Sequence, residues 1–577
     1  MRACRTELAR LCLSLLAASA LSGAAPAAAQ PAPGSPTPLL SPQDGGPPVV
    51  LVPSLPQLER MHEDDTIEVA PLAPVDTSWS GPLAAGKGGF PREMWRGTSR
   101  AFIVVRLPGL QPSASPVLQS LESRLLLSDA VAPAPGPGEP TADSGLMALR
   151  LDRLLALGIV APALPLLEMI PDGAANESVA RDAVELRFAD NDTTGACSAV
   201  NQAIVTYANP YWARALIACQ ALAGDSAKAQ LGQQLLADQK APPDRDFDAL
   251  IARIGSRAAK LPPLDDPTPM DLALLAAAKA PLPPETAVKS GLAALYGWAI
   301  DDKIPPAQRL AAAERAALLG SVPSDGLAAI YDAIAFKSED GSTAAKALKS
   351  PADPRARARL YQLAKHAAPD IRQAAIMALL SEAQKRGAFM LTARLVAPVL
   401  AELPADNPPA PFAAMAARAL IAAGHAEAAQ PWLSTAQSQA LLMVSRLAAP
   451  GPFGPGDNQL LKDATAELAA QSDAGATRAD LLLALYTALD GAPILGGAVA
   501  AQPSPSLDTT LWNAQLDAAQ HKRLGETVLT TALLDNDRGA LTADPILLTR
   551  AVAALRGVGL EAEARRLAVE AALAAGI

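Results

Sequence analysis

Apolar residues recur at helical spacing over most of the chain after about residue 115. They fall into segments of roughly 12–18 residues, which short breaks separate. Asn176 precedes the segment 179–188, Pro210 opens the segment 211–222, and Gly224 follows it. Asn before a helix, Pro in its first turn and Gly after its last turn are the residues that helix termini favour. The pattern therefore predicts a succession of short helices.

One unit recurs in the pattern, in which a helical segment ends at Gly and an Ala follows five residues later. Glycine adopts the left-handed backbone that ends a helix, and a small Ala lets the next helix cross closely. The four copies are Gly158 with Ala163, Gly224 with Ala229, Gly424 with Ala429, and Gly559 with Ala564. The unit resembles the helical hairpin of tetratricopeptide repeats, whereas Pro369 and the residues after it are more similar to a HEAT repeat. We therefore expect an all-α fold, an irregular α-solenoid of tetratricopeptide/HEAT-like helical hairpins.

Residues 30–113 differ from the rest because they are rich in Pro and Gly and show little helical periodicity. We predict an extended, partly disordered lead-in there. Pro-rich interruptions near 261–269 and 449–455 divide the remainder into three groups of helical repeats. These groups are N-terminal (114–260), central (261–448) and C-terminal (449–577).

The first 29 residues have the features of a secretory signal peptide. Arg2, Arg5 and Arg10 precede a short apolar run, and Ala27 to Ala29 supply the small residues at which a signal peptidase cuts. We expect cleavage after Ala29 and a periplasmic location. No later stretch has 18 consecutive apolar residues, so we expect no integral membrane segment.

Composition narrows the class of protein further. Hydrophobic residues make up 50% of the chain but aromatic residues only 3%, so the core consists mainly of Ala and Leu, which favour helix. The formal net charge is −10, whereas nucleic-acid binding requires a basic face. We therefore expect no nucleic-acid partner.

Several stretches from residue 67 onward support a resemblance to a known group of proteins. These are the run from Ile67 to Gly81, Met94 to Arg100, Arg124 to Ser128, Ala218 to Gln220, and Ala313 to Ala316. Through them the chain resembles exported, Ala/Leu-rich helical-repeat proteins of alphaproteobacteria, some labelled "antifreeze glycopeptide polyprotein". The resemblance implies an exported helical-repeat protein and brings no known active site.

Candidate chemistry is sparse. The four histidines, His62, His366, His425 and His521, do not lie at metal-ligand spacing, and Gly88 stands where a phosphate-binding loop over 81–88 needs Ser or Thr. Glu177-Ser178 is similar to the Glu-Ser pair of lytic transglycosylases, but it follows Asn176 at a helix start, where an acidic residue is expected anyway. We therefore expect no catalytic, cofactor-binding or metal-binding residues and no cofactor.

Aromatic residues provide the other candidates for a contact site. Trp95, which Arg92, Arg96 and Arg100 flank, is either an exposed contact site or a side chain that packs the lead-in onto the first helices. We favour the second interpretation. Trp212 and Trp432 lie at helix starts, and we expect them in the core.

Cys197 and Cys219 are the two cysteines outside the signal peptide, and we predict a disulfide between them. We place Cys197 in a helix over about 195–208 and Cys219 in the helix from Pro210. The two cysteines are equidistant from the turn between these helices, so they lie at the same height in the hairpin. The alternative is two reduced cysteines that pack as small apolar side chains.

These observations favour a non-catalytic periplasmic scaffold. Stacked helix pairs expose a long concave face, which solenoids use to bind a protein or peptide. The alternative is a peptidoglycan-acting enzyme or a cell-wall-binding accessory protein.

Overall fold

The structure is a computed structural model that describes residues 76–136, 144–170, 176–336, 341–404, 408–490 and 509–577. These residues form 27 α-helices and three short 3₁₀ helices, and they contain no β-strand. The one departure from helix and loop is an isolated β-bridge between Leu83 and Ser128. The expected all-α class is thus confirmed, and residues 1–75, which include the predicted signal peptide, lie outside the described residues.

The helices follow one another with short connections. The first thirteen are α1 Arg100–Arg106, α2 Pro116–Leu127, α3 Ser144–Ala156, α4 Leu164–Leu167, α5 Glu177–Ala189, α6 Thr193–Ala203, α7 Pro210–Leu222, α8 Ser226–Asp238, α9 Arg245–Gly255, α10 Pro269–Ala277, α11 Pro284–Lys289, α12 Leu292–Ile300 and α13 Pro306–Leu318. The 3₁₀ helices are Ala85–Lys87, Leu107–Gly109 and Ala161–Ala163.

The second half of the chain continues in the same way. Its helices are α14 Ser324–Asp332, α15 Gly341–Lys349, α16 Pro354–His366, α17 Pro369–Lys385, α18 Phe389–Glu402, α19 Ala410–Ala422, α20 Ala426–Ala436, α21 Gln439–Ala448, α22 Pro455–Ala469, α23 Asp473–Asp490, α24 Thr509–Gln520, α25 Leu524–Ala543, α26 Pro545–Gly557 and α27 Glu561–Ala574. Many consecutive helices pack in pairs, such as α7 with α8, α19 with α20, and α26 with α27, as expected for a solenoid-like fold.

The recurring Gly and Ala unit has the predicted geometry at all four places. Gly158, Gly224, Gly424 and Gly559 have positive φ angles of 66°, 82°, 84° and 88°. The paired alanines, Ala163, Ala229, Ala429 and Ala564, are all buried. The glycine therefore ends a helix in the left-handed conformation, and the alanine lets the returning chain pack closely.

Helix α2 lies in the centre of the fold, since none of its residues is exposed. It packs against α3, the next helix along the chain, and also against α25 and α27 near the end of the chain. A helix that is buried all round needs neighbours on every side. The last helices therefore close on the first ones.

The segment 76–113 differs from the lead-in that the sequence predicts, because it belongs to the core. Trp79, Phe90, Trp95, Ile103 and Leu107 are each no more than 3% exposed. Their irregular spacing gives no helical period, yet large apolar side chains of this kind contribute much buried area. Residues 30–75 of the predicted lead-in lie outside the described residues.

Arg150 on α3 fixes this segment in place. Its guanidinium is fully buried, donates hydrogen bonds to the backbone carbonyls of Ser80, Leu126 and Ser128, and lies over the ring of Trp79. Burial lowers the pKa of Arg150 to about 9. The hydrogen bonds satisfy a cation that would otherwise be costly to bury.

Carboxyl groups on the last helices accept several hydrogen bonds across the closure from the first part of the chain. We call these contacts the closure seam. They join Thr98 to Glu526, Ser113 to Asp535, Ser115 and the amide of Val117 to Glu570, and Arg124 to Glu563.

Candidate functional site

A cleft of about 790 Å³ lies between α3, α5, α10 and α12. Clefts of about 300–1,000 Å³ are typical of sites for small ligands. Its apolar lining includes Ala148, Leu149 and Leu155 of α3 and Ala293 and Ala294 of α12. Its polar lining includes Asp152, Asp182, Glu185, Asp266 and Arg181. The site thus combines apolar walls with several charged groups.

Helix α5 supplies three of these charged groups, on Arg181, Asp182 and Glu185. The Asn176 side chain accepts a hydrogen bond from the amide of Val179 and fixes the start of the helix. Ser178, Asp182 and Glu185 follow at helical spacing, so their side chains lie along one face. Ser178 is exposed at the rim, Asp182 is half-buried, and Glu185 is buried deepest.

Glu185 has two hydrogen-bond donors. Its Oε1 atom accepts from the Tyr211 hydroxyl at 2.9 Å, and its Oε2 atom accepts from the Met270 amide at 3.2 Å. Burial raises the pKa of Glu185 to about 7, and the nearby Asp271 adds to this effect, while both hydrogen bonds oppose it. Glu185 forms no ion pair with any described residue, so its charged form has no direct countercharge.

Asp182 lies nearer the mouth of the cleft. Burial raises the pKa of its carboxyl to about 7, and repulsion from Asp152 acts in the same direction, while Arg181 and Arg153 oppose it. Burial likewise raises the pKa of Asp271, next to the floor, to about 6. Several carboxyl groups around the cleft are therefore harder to ionise than ordinary ones.

The cation on this face of α5 is engaged elsewhere. The Arg181 guanidinium lies 4.8 Å from the centre of the Tyr211 ring, a cation–π contact. Within the described part of the chain, Arg181 forms no salt bridge. It therefore lowers the pKa values of Asp182 and Glu185 only from a distance.

Cys197 and Cys219 form the predicted disulfide, with their Cα atoms 5.6 Å apart. Helix α6 ends at Ala203, earlier than expected, but Asn209 still caps α7 through its side chain. The bond ties α6 to α7, and α7 carries Tyr211, the partner of Glu185. The disulfide therefore lies in the framework that supports the cleft.

The remaining candidates from the sequence have structural contacts. Glu177 accepts a hydrogen bond from the Trp212 indole at 3.0 Å, at the first position of α5. Trp212 and Trp432 are buried, as expected. Trp95 is buried too, and it packs against Gly525 at the start of α25 and in an edge-to-face contact with Trp79. Trp95 therefore joins the segment before α1 to a helix near the end of the chain.

Sequence reasoning missed the charged residues of the cleft. Acidic residues are common on helix surfaces, so Asp152 and Asp182 gave no distinctive pattern. One local signal was present, because Glu185 stands between Val184 and Leu186, which are both buried. Acidic residues are rarely buried unless they are paired, so an acid within an apolar run marks a special environment.

Comparisons with protein-family models, with curated proteins and with solved structures find no match for this chain. Among the described residues, no group of three or more His, Cys, Asp or Glu side chains is placed to hold a metal ion. Of the described helices, none has both the length and the apolar character needed to cross a membrane.

Proposed function

We propose that the chain is a non-catalytic, periplasmic helical-repeat scaffold that binds a protein or peptide partner of the cell envelope. The observation that carries the proposal is the cleft of about 790 Å³ between α3, α5, α10 and α12 of the solenoid-like fold. Helical-repeat proteins use concave surfaces between stacked helices to bind partners. We place the partner's contact in this cleft.

The contacts of Glu185 favour binding over catalysis. Both of its carboxyl oxygens accept hydrogen bonds from the protein itself, one from Tyr211 and one from the Met270 amide. A general acid or base must reach the proton that it transfers. Such a group instead gives a fixed polar floor, which suits recognition.

A site-directed crosslink tests this proposal. A photoreactive amino acid at Ser178, which is exposed at the rim of the cleft, is compared with one at the exposed Lys462 of α22. We expect a discrete crosslinked partner from the periplasmic fraction with the first variant only. Equal products from both positions, or none from Ser178, would contradict the proposal.

The alternative is an enzyme or an accessory protein that acts on peptidoglycan. One observation favours it, since burial raises the pKa of Asp182 to about 7, which suits a general acid at neutral pH. Release of soluble muropeptides from purified cell wall, lost in Asp182→Asn, would support this function and would replace the scaffold proposal.

A further inference from the structure

We propose that the cleft receives the ammonium or guanidinium group of a lysine or arginine side chain on an extended peptide segment of the partner. This inference rests on the proposed function and specifies the chemistry that the cleft recognises. The cation would lie beside Asp182, with its alkyl stem along the apolar wall of α3.

The groups that line the cleft include more carboxyl groups than cations. Four carboxyl groups line it, on Asp152, Asp182, Glu185 and Asp266, and Arg181 is the cation among the lining residues. Asp152 is already paired with Arg153, with 2.6 Å between the carboxylate and the guanidinium. Because the Arg181 guanidinium stacks on the Tyr211 ring, it does not pair with these groups. Asp182, Glu185 and Asp266 form no salt bridge with a described residue, so a cation from outside meets unpaired carboxyl groups. In a partly buried site its attraction to them is stronger than in bulk solvent.

The apolar wall of the cleft suits the stem of a lysine or arginine side chain. Leu149 and Leu155 are only partly buried, and together with Ala148 they form an apolar part of the lining on α3. Lysine and arginine carry an apolar stem that ends in a charged head. That distribution matches the cleft, whereas a bare metal ion would leave the apolar wall unused.

A second buried glutamate shows what is missing at Glu185. Glu314 accepts a hydrogen bond from the Tyr331 hydroxyl at 2.6 Å, as Glu185 does from Tyr211. Glu314 also accepts from the Arg357 guanidinium, at 2.9 Å from its Nε atom. The two sites thus share a Tyr–Glu pair, but only Glu314 has a cation.

The space next to the two glutamates differs in the same sense. Arg357 fills its site and is itself only 5% exposed. At Glu185 the corresponding space is part of the open cleft. A guanidinium or ammonium from a partner would supply there the countercharge that Arg357 supplies to Glu314, although buried pairs gain only when their geometry is good.

Binding of a peptide to the purified full-length chain tests the inference. The probe is a dye-labelled alanine peptide with one central lysine and blocked ends, and its controls carry glutamine or glutamate in place of lysine. We expect the lysine peptide to bind at least about tenfold more tightly than the glutamine peptide, and added salt to reduce the difference. Equal affinity for the two peptides, or no binding of the lysine peptide, would overturn the inference.

Variants locate the effect. We expect Asp182→Asn to weaken binding of the lysine peptide about tenfold and to leave the glutamine peptide unchanged. Asp463→Asn, on the exposed face of α22 away from the cleft, is the matched control and should change neither. Glu185→Gln, whose amide keeps the shape of the floor, provides a second variant. If neither Asp182→Asn nor Glu185→Gln changes binding of the lysine peptide, the assignment is wrong.

The pH of the assay gives a separate readout. Binding should tighten between pH 6 and 8 as Asp182 and Glu185 ionise. The charged and titratable neighbours are Asp152 and Arg153 of α3 around Asp182, Tyr211 of α7 and Asp271 of α10 around Glu185, and Arg181 of α5 beside both. A pH-independent difference between the lysine and glutamine peptides would contradict this site.

Two further arms separate the possible causes of failure. If 1,5-diaminopentane binds as tightly as the lysine peptide, the cleft recognises a free amine, and the peptide assignment is overturned. If the crosslink at Ser178 persists in Asp182→Asn, the scaffold proposal stands and the cation inference fails. If the crosslink is lost in Asp182→Asn but kept in Asp463→Asn, both the scaffold proposal and the cation inference are supported.

Discussion

Glu185 in the cleft and Glu570 in the closure seam have almost the same chemistry but different access. Each is buried and accepts two hydrogen bonds, Glu185 from Tyr211 and the Met270 amide, Glu570 from Ser115 and the Val117 amide. Burial raises the pKa of both to about 7. A raised pKa alone therefore does not mark a functional site in this protein.

The surroundings separate the two carboxyl groups. Glu570 joins α27 to the start of α2, so the first and last parts of the chain enclose it. Glu185 lines a cleft of about 790 Å³. The seam uses buried acids to hold the chain ends together, whereas Glu185, which is buried to a similar extent, lines a cleft.

The largest effect is expected from deleting the residues before 115, which include Thr98 and Ser113 of the closure seam. A chain that begins at residue 115 lacks Trp79, Phe90, Trp95, Ile103 and Leu107, each worth about 1.5–3 kcal/mol when buried. That total is comparable with a typical net stability of about 5–15 kcal/mol. We expect this fragment to lose its cooperative thermal unfolding, measured by circular dichroism.

The matched control for the fragment begins at residue 76 and retains the buried side chains. It should unfold with the same midpoint as the longer chain. A fragment from residue 115 that melts cooperatively at that midpoint would show that the segment 76–114 is dispensable for the fold.

Helix ends were predictable because their signals are local, whereas the closure was not. Asn176, Pro210 and Gly224 mark their helix termini within a few residues of sequence. The bond between Thr98 and Glu526 joins residues 428 apart, and no periodic pattern reports such a contact. The disulfide was predictable since Cys197 and Cys219 are symmetric about one turn.

The cleft could be predicted only in part. The positions of its helices follow from the apolar pattern, but its charge depends on which acids of α3 and α5 meet in space. Asp152 and Asp182 are ordinary helix-surface residues in the sequence. The burial of Glu185 between Val184 and Leu186 was the single local sign of the site.

A smaller effect is expected from Arg150, the buried cation of α3 that fixes the segment 76–113. Arg150→Met removes the donor to the carbonyls of Ser80, Leu126 and Ser128 and leaves them buried without it. We expect a loss of about 3–5 kcal/mol in the free energy of unfolding, measured in urea. Arg92→Met, at a side chain 65% exposed, should cost less than about 1 kcal/mol. Similar losses in the two variants would count against a special role for Arg150.

The disulfide between Cys197 and Cys219 stabilises the helices that support the cleft. Replacing both Cys197 and Cys219 by Ala reopens a loop with a sequence separation of 22, worth about 3 kcal/mol on the chain-entropy model. We expect a lower urea midpoint than in the oxidised wild type and a matching shift when reductant is added to the wild type. Mass spectrometry after alkylation checks the bond directly. Thiols that alkylate in the unfolded protein without reductant would disprove it.

The smallest expected effect is on the pH dependence of stability, to which Glu185 and Glu570 both contribute. In the unfolded chain Glu185 has an ordinary pKa near 4.5, and in the fold its pKa is about 7. The folded state therefore holds the proton more tightly, so stability falls as pH rises through this window and is constant on either side. We expect Glu185→Gln to remove roughly 2 kcal/mol of the difference in unfolding free energy between pH 4.5 and pH 7.

Two further variants sharpen this test. Glu570→Gln should reduce the pH dependence in the same direction, because burial raises the pKa of Glu570 to about 7 as well. Glu314→Gln should instead lower stability at every pH, since it leaves the buried Arg357 without its carboxylate. Addition of the lysine peptide should stabilise the wild type and Glu570→Gln but have less effect on Glu185→Gln, because Glu185 and not Glu570 lines the proposed binding site. If the peptide stabilises all three to the same extent, access does not distinguish the two glutamates.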